Sequence, residues 1–532
     1  MISARKAWAS GGKPVKNHSD ANLFVLGATA CLRQADQVLR RHGAPAPAIL
    51  PSSRLQPLPM PLSCDVAIIG AGTAGMAAYR AARMHTERVL LIEAAHYGTT
   101  CARVGCMPSK LLIAAADAAQ AVREAHRFGV QAAPPRIDGR AVMQRVRSER
   151  DRFVGFVTET VHGWPEATRL WGRARFVDAN TLDVDGQRVE VKAVVVATGS
   201  RPRIPAGWRE RLGSKLIVND DVFDWTDLPR SVAVVGAGVI GLELAIALHR
   251  LGVRVRLFSR GSRVGPLTDP ELQPLAQQLF ADELPLTLNA ITLAPVLDGD
   301  QVAIGDERFD LLLCTSGREP NLDGLGLEAL SLPRTPEGHA LIDRHTGQWG
   351  AGPLFVAGDA ADDRPLLHEA ADAGRIAGDN AARWPAVHHR PRRAPLAVVF
   401  SDPQIAIAGA SHAELTADGV AFDTGRVSFV DQGRSRVMLV NRGGLHVYAA
   451  RDTGRLLGAE MIGPAAEHLG HLLAWSVQRG DTVQQMLNSP FYHPVVEEGL
   501  RTALRQLHND QRLPDPPIEN SLDCDTADET GS

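Results

Sequence analysis

Asp65-Val-Ala-Ile-Ile-Gly70-Ala71-Gly72-Thr73-Ala74-Gly75 is a short apolar run that ends in glycines at the spacing Gly-x-Gly-x-x-Gly. The run reads as a buried parallel strand, and the stretch Met76–Met84 behind it as a helix. A second apolar strand, Arg88–Ile92, ends in Glu93, 18 residues after Gly75. In this reading Gly70 permits the tight turn, Gly72 lets the backbone approach a diphosphate, and Gly75 lets helix pack on strand. The helix N-terminus meets the phosphate charge, and Glu93 accepts hydrogen bonds from ribose hydroxyls. The pattern recurs 166 residues later: Ser231-Val-Ala-Val-Val-Gly236-Ala237-Gly238-Val239-Ile240-Gly241 leads into helix Leu242–Leu251 and strand Val253–Phe258. Isolated glycine turns are common, but here strand, helix and second strand follow in order twice. Two dinucleotide units imply two cofactors with electrons passing between them. The second unit ends in Ser259 instead of an acid, with Arg260 and Arg263 following and Arg256 upstream. An acid there repels a 2′-phosphate and arginines attract it, so NADP is favoured over NAD; a solvated basic face is the competing reading.

The rest of the composition is compatible with this. The chain has 532 residues, 45% hydrophobic and 22% charged, which excludes disorder throughout. No apolar run reaches the ~18 residues of a membrane span, and a net charge of −3 without a long basic block argues against a nucleic-acid binder. A cytoplasmic enzyme is expected. Residues 1–59 carry eight Lys/Arg against two acids and read as a disordered or spurious extension before Met60. Within them Leu23–Leu32 has about the length of a signal-peptide core, broken by Gly27. Residues 511–532 hold six acids, one Arg and three prolines, and read as a solvated acidic tail.

Six cysteines are too few for a disulfide scaffold, and only Cys101 and Cys106 are close together. They lie in Cys101-Ala102-Arg103-Val104-Gly105-Cys106-Met107-Pro108-Ser109-Lys110, just before an apolar helical stretch, Leu111–Val122. In a regular helix, side chains five residues apart point roughly 140° from one another. Bonding them requires a distorted segment, which Gly105 makes easy. A nearby helix N-terminus favours the thiolate. The alternative is a pair of buried structural cysteines.

The segment Cys101-x-x-x-x-Cys106-x-Pro108-Ser109-Lys110 resembles the redox-active motif of the class I pyridine nucleotide–disulfide oxidoreductases, which include dihydrolipoyl dehydrogenase, glutathione reductase and mercuric reductase. Four further motifs resemble the same family in order. Ala197-Thr198-Gly199-Ser200-Arg201-Pro202 is similar to its crossing between nucleotide domains, and Thr315-Ser316-Gly317-Arg318-Glu319-Pro320-Asn321 to the return crossing. Leu354–Asp359 resembles the strand whose Asp binds the flavin ribityl chain. Leu367-His368-Glu369-Ala370 resembles the helix that starts beside the flavin ring.

The resemblance implies an α/β fold with two Rossmann-like domains, for FAD and NAD(P), plus a C-terminal α+β dimerisation domain. The FAD domain would span 60–205 and 320–392, the NAD(P) domain 206–319 and the interface domain 393–510. In the interface domain, strands are expected at Ala397–Phe400, Val437–Val440 and Leu445–Ala449, followed by helices Ala465–Arg479 and Thr482–Leu487. FAD would contact Gly70, Gly72, Gly75, Glu93, Lys110, Ala174, Thr198, Gly199 and Asp359. The nicotinamide cofactor would contact Gly236, Gly238, Gly241, Arg260, Arg263 and Gly317. Hydride would pass from nicotinamide to flavin and on to a Cys101–Cys106 disulfide, or in reverse for a dithiol. Cys106 would be the charge-transfer thiolate and Cys101 the interchange thiol. Lys110 would stand beside the flavin with Glu243 as its carboxylate partner. Val239 falls where some relatives carry an aromatic gate.

Thiols need a base, and His493 with Glu498, in Phe491-Tyr492-His493-Pro494-Val495-Val496-Glu497-Glu498, resembles the family's His-Pro…Glu motif. That His reaches the partner's cysteines, which implies a homodimer with shared active sites. Three departures bear on substrate. Ala102-Arg103 replaces the usual Leu-Asn, and Phe491-Tyr492 stands before His493, both pointing to an altered substrate mouth. The tail carries only Cys524 where mercuric reductases have a cysteine pair. The expectation is a dihydrolipoyl dehydrogenase-like enzyme acting on a lipoamide-like dithiol. The alternatives are an NADPH-dependent reductase of another small disulfide, or a non-catalytic flavoprotein assembly subunit. No metal site is expected; His388-His389 lacks acid or thiol company.

Overall fold

The computed structural model describes residues 62–512. The expected N-terminal extension, its signal-like segment and the acidic tail beyond Arg512 lie outside the described residues.

The first fingerprint strand, Leu62–Ile69, sits in the middle of a seven-stranded sheet. It pairs in parallel with Val89–Glu93 on one side and Gln187–Val196 on the other, with Ile69 level with Ile92 and Val196. Every residue from Val66 to Ile69 is buried, as a strand covered on both faces must be. A strand from far downstream, Leu354–Val356, adds in parallel to Gln187–Val196. It returns the chain to the sheet after an excursion of more than 150 residues.

That excursion is a second parallel sheet. Its five strands run in the order Leu286–Thr287, Arg254–Phe258, Ser231–Val235, Leu311–Cys314 and Leu216–Val218. The chain leaves the first sheet through Ser200–Pro202 and comes back through Arg318–Pro320, and these two crossings pair antiparallel. Cys314 is buried at the end of its strand, its Sγ against Arg203 O and Ser316 Oγ.

The two fingerprints have the same geometry. Gly70 and Gly236 have φ of +106° and +120°, a conformation open to glycine. A Cβ on Gly75 would lie 1.8 Å from Gly70 O, and one on Gly241 1.8 Å from Gly236 O. A Cβ on Gly72 or Gly238 would meet nothing within 4 Å. The outer glycines close the turn and the middle one faces open space.

Helix Leu367–Arg383 packs unusually close to the first fingerprint helix, Thr73–Ala82. Gly374 and Gly378 fall opposite Ala74 and Ala78, and Cβ atoms there would lie 2.2 and 2.3 Å from the Ala74 and Ala78 carbonyl oxygens. Two small-residue pairs, each four apart, thus hold the segment that contains Asp359 against the first fingerprint.

Residues 396–463 form a five-stranded antiparallel sheet in the order Leu396–Val399, Gln404–Gly409, Leu456–Gly463, Gly444–Ala450 and Phe422–Ser428. Helices Ala466–Arg479 and Glu498–Gln511 cover it. The strand expected at Val437–Val440 is not one. Gln432 accepts a hydrogen bond from Ser435 N–H and starts a short helix, Gly433–Val437, after which Leu439 adopts φ +55°. A side-chain cap overrode a β-branched run. The strands Gln404–Gly409, Phe422–Ser428 and Leu456–Gly463 were not anticipated.

This sheet is clamped to residues 268–269, which follow strand Arg254–Phe258 of the second parallel sheet, by buried polar groups. Asp269 accepts from Tyr448 Oη at 2.9 Å and bonds His446 Nδ1 at 2.8 Å. Glu460, fully buried, accepts from Thr268, Asp269 and His412 backbone N–H groups.

Replacing Gly374 or Gly378 by Ala forces the two helices apart and is expected to cost about 1–3 kcal/mol. Gly155→Ala, at a half-buried helix position with no neighbour within 4 Å of a Cβ, serves as the control and is expected to be neutral or stabilising by up to about 1 kcal/mol. Denaturant unfolding of the purified variants checks both.

Candidate functional site

The cysteine segment consists of two helices. Thr100–Val104 is a short one, started by Thr99 Oγ1, which accepts from Ala102 N–H at 3.0 Å. Cys106–Glu124 follows after Gly105. The expected helix Leu111–Val122 therefore begins five residues earlier, and Cys106 is its first residue. A Cβ on Gly105 would lie 3.1 Å from Thr100 O and 3.2 Å from Cys101 Cα, so a larger residue would press on this tight turn.

The break brings the two side chains within hydrogen-bonding reach, both as free thiols. Cys101 donates to the Cys106 sulfur. That bond pulls the Cys106 thiol down to about 7 although burial opposes it, and the Lys110 ammonium adds to the effect. The same bond, followed by burial, pushes Cys101 up. Cys106 is the sulfur that ionises first.

Lys110, one turn after Cys106, contacts both Glu243 oxygens at 2.9 and 2.7 Å. Glu243 is buried on helix Val239–Arg250, the helix of the second fingerprint, and also accepts from Phe400 N–H at 3.0 Å. The Lys110 ammonium lies 4.5 Å from the centre of the Phe400 ring. Val239, at the start of that helix, is exposed. One ion pair thus joins the redox segment, the second nucleotide unit and the first strand of the C-terminal sheet.

Hydrogen bonds that the sequence does not signal link the residues expected to hold the dinucleotides. Glu93 Oε2 accepts from Ala71 N–H at 2.8 Å, inside the first fingerprint. Gly172 N–H donates to Glu93 O, which sets Ala174, two residues on, beside the same end of the sheet. Thr198 Oγ1 donates to Asn321 O, and Asn321 N–H donates to Gly199 O, locking the two crossings together near Gly317. Ser200 Oγ donates to Asp359 Oδ2 at 2.7 Å and accepts from Arg318 Nε at 2.8 Å. Ser200 and Arg318 are 118 residues apart, and no spacing rule links them.

Arg260 and Arg263 are exposed, and Arg263 lines a cleft of about 430 Å³ with Gly238, Ser259 and Ser262. Arg256 does not join them. Its guanidinium pairs with Glu307 and donates to Thr287 Oγ1 at 3.0 Å, away from the cleft.

His493 and Glu498 meet in the C-terminal domain, Nδ1 to Oε1 at 3.0 Å. Glu498 is buried at the start of its helix and also accepts from Val495 N–H and Arg501. With Nδ1–H given to Glu498, the basic lone pair of the ring resides on Nε2. The His493 side chain is half exposed. Among the described residues no group of His, Cys, Asp and Glu could hold a metal ion, and no helix is long and apolar enough to cross a membrane.

Residues 64–374 match the family model of pyridine nucleotide-disulphide oxidoreductases, and residues 396–504 match its dimerisation domain. Mercuric reductase of Shigella flexneri is 32% identical over 467 residues, 84% of this chain and 81% of the relative. Dihydrolipoyl dehydrogenase of Bacillus subtilis is 29% identical over 427 residues, 75% of this chain and 88% of the relative. The crystal structure of LpdA from Mycobacterium tuberculosis superposes with a TM-score of 0.70 at 26% identity, covering 83% of this chain and 99% of that one. The fold is also that of the flavoprotein disulfide reductase RclA from Escherichia coli, with a TM-score of 0.70 at 21% identity over 84% of this chain and 99% of that one.

In the reduced protein, alkylation of Cys106 by iodoacetamide should rise with pH through about 7. Cys101→Ala removes the thiol donor and should move this midpoint up; Lys110→Met should move it up by less. Rate–pH profiles with mass-spectrometric assignment of the modified cysteine measure all three.

Proposed function

From membership of the pyridine nucleotide-disulphide oxidoreductase family, to which this chain belongs, we propose that it is a homodimeric flavoenzyme exchanging electrons between NADP(H) and a small dithiol or disulfide, lipoamide-like in class. FAD and a pyridine nucleotide are the cofactors of the family, and a dimerisation domain is present. The first fingerprint fits the adenosine diphosphate half of FAD, because Gly72 leaves open space at the helix N-terminus and Glu93 stands at the end of the neighbouring strand. FAD, when bound, supplies the two-electron relay between nicotinamide and the cysteine pair.

The observation that carries the reading is the hydrogen-bonded thiol pair across Gly105 with Lys110 beside Cys106. In the reductive direction Cys101 attacks a substrate sulfur and forms a mixed disulfide, releasing one thiol. Cys106 then attacks Cys101 sulfur, releasing the second thiol and leaving the Cys101–Cys106 disulfide. His493, its imidazolium supported by Glu498, takes the Cys101 proton as that sulfur attacks and delivers it to the first leaving sulfur; the second leaving sulfur takes its proton from solvent. Each site would combine the cysteines of one subunit with the His493–Glu498 pair of the other. In the oxidative direction the same groups run in reverse.

NADP preference rests on Arg260 and Arg263 beside a cleft at the second fingerprint that has Ser259 where an acid would repel the 2′-phosphate. The identity with mercuric reductases gives a second reading, Hg(II) reduction, against which stands a single cysteine, Cys524, beyond residue 314.

Steady-state assays with dihydrolipoamide and NADP⁺ or NAD⁺, with small disulfides and NADPH, and with Hg(II) and NADPH, distinguish these. Dithiol or disulfide turnover lost in Cys101→Ser supports the reading; FAD-loaded protein that turns over only Hg(II), or nothing, overturns it. Replacing Arg260 and Arg263 by Ala should raise the KM for NADPH about tenfold or more, from lost charge-assisted hydrogen bonds, with little change for NADH. Equal effects on both would remove the assignment.

A further inference from the structure

Helix Glu498–Gln511 lays Leu500, Ala503, Leu504 and Leu507 into the core of the C-terminal domain, and Arg501 is buried with them at 9% exposure. Arginine is almost never buried without a partner. Three residues after Glu498, Arg501 falls on the same side of the helix. Its Nη2 donates to Glu498 Oε1 at 3.3 Å, and its guanidinium carbon lies 5.7 Å from the centre of the Phe491 ring. Arg501 therefore grips the chain on both sides of His493, at the ring two residues before it and at the carboxylate five residues after.

The oxygen that Arg501 uses is also the one that orients His493. Glu498 Oε1 takes both Arg501 Nη2 and His493 Nδ1, the latter at 3.0 Å, while Oε2 accepts from Val495 N–H at 3.1 Å. Once the imidazole is protonated, two cations share one carboxylate oxygen, and the guanidinium keeps its charge at every working pH. A carboxylate already neutralised by Arg501 stabilises the imidazolium less, and the two positive charges repel. The neighbouring elements bring few other charges. Helix Val483–Leu487, packed on Glu498–Gln511, has none. Gln432, before helix Gly433–Val437, donates to Val495 O; the charged residues of that segment are Arg434 and the pair Asp431–Arg436, 2.9 Å apart. On the helix of Arg501, Glu497 precedes Glu498 and Arg505 follows one turn later.

On the reading of the preceding section, in which His493 moves the thiol proton, we propose that Arg501 is a positioning residue for that step. It fixes Phe491 and Glu498 around the ring and weakens the carboxylate's hold on the imidazolium, so that His493 is a free base at a lower pH than Glu498 alone would allow. The step that reads this is reduction of the oxidised protein by a dithiol. One substrate sulfur attacks Cys101 as the thiolate, its proton having gone to solvent, and Cys106 leaves as a thiolate. The second substrate S–H gives its proton to His493 as its sulfur attacks the first, and the ring passes that proton to the leaving Cys101. The dithiol is oxidised and the cysteine pair reduced. This sequence needs the neutral ring, and the bonded cysteines of the starting state do not titrate.

The test mixes oxidised, FAD-loaded protein with dihydrolipoamide and follows the reduction rate by stopped-flow absorbance across neutral pH. Wild type is compared with Arg501→Met, Arg501→Gln, Arg501→Lys and His493→Gln. The limb of the rate–pH profile that His493→Gln removes should move up by about 0.5–1 pH unit in Arg501→Met and Arg501→Gln. Arg501→Lys keeps the charge and should hold the midpoint near that of wild type. If one neutral variant does not fold, the other carries the same comparison. Slower reduction with an unmoved midpoint would make Arg501 a structural residue and overturn the proposal. A midpoint that moves as far in Arg501→Lys as in the neutral variants would overturn it too. Wild-type protein that dihydrolipoamide does not reduce, or a profile that His493→Gln leaves intact, would instead fail the parent reading.

Discussion

Lys110 on helix Cys106–Glu124 and Glu243 on helix Val239–Arg250 meet in an ion pair whose carboxylate is buried. Glu243 is 4% exposed, and its carboxylate is held by the ammonium 2.7 Å away and by Phe400 N–H. Removing Lys110 leaves that buried carboxylate without its counter-charge, at a cost of about 3–5 kcal/mol. Lys110, one turn from Cys106, adds to the hydrogen bond from Cys101 in favouring the Cys106 thiolate, while Glu243 opposes it.

The remaining architecture holds that contact in place. The crossings Ser200–Pro202 and Arg318–Pro320 pair with one another and are pinned by Thr198, Asn321 and Arg318, so the second domain cannot swing freely about the first. The Asp269 and Glu460 clamps fix the same domain to the C-terminal sheet. Close packing of Gly374 and Gly378 on Ala74 and Ala78 sets Asp359 beside the first fingerprint. A shared apolar core adds to this positioning, with Leu112 and Met143 in one buried cluster with Leu242 and Leu248 and with Val399, Ile405 and Ile462.

The parallel sheets were legible in the sequence because Val66–Ile69 and Val232–Val235 are uninterrupted apolar runs ended by glycine, a pattern with one economical reading. Local chemistry was legible for the same reason: Cys106 to Lys110, or His493 to Glu498, is a spacing within one segment. The C-terminal sheet was read less well. Phe422–Ser428 alternates weakly and contains Gly425, whose Cβ would meet Ala503 O at 2.1 Å, so this strand exists because a helix 80 residues away lies on it. Val437–Val440 misled because a glutamine cap five residues earlier decides the local structure. The Ser200–Arg318–Asp359 chain had no sequence signal, since its partners meet only after the chain has crossed between the two sheets and back.

The central claim is that the Cys101–Cys106 pair is a redox centre in series with the flavin. An anaerobic reductive titration of the FAD-loaded protein tests it most directly. The account predicts uptake of two electrons beyond those the flavin takes, with that excess missing in Cys106→Ser. Wild-type protein that takes up only the electrons of its flavin would contradict it.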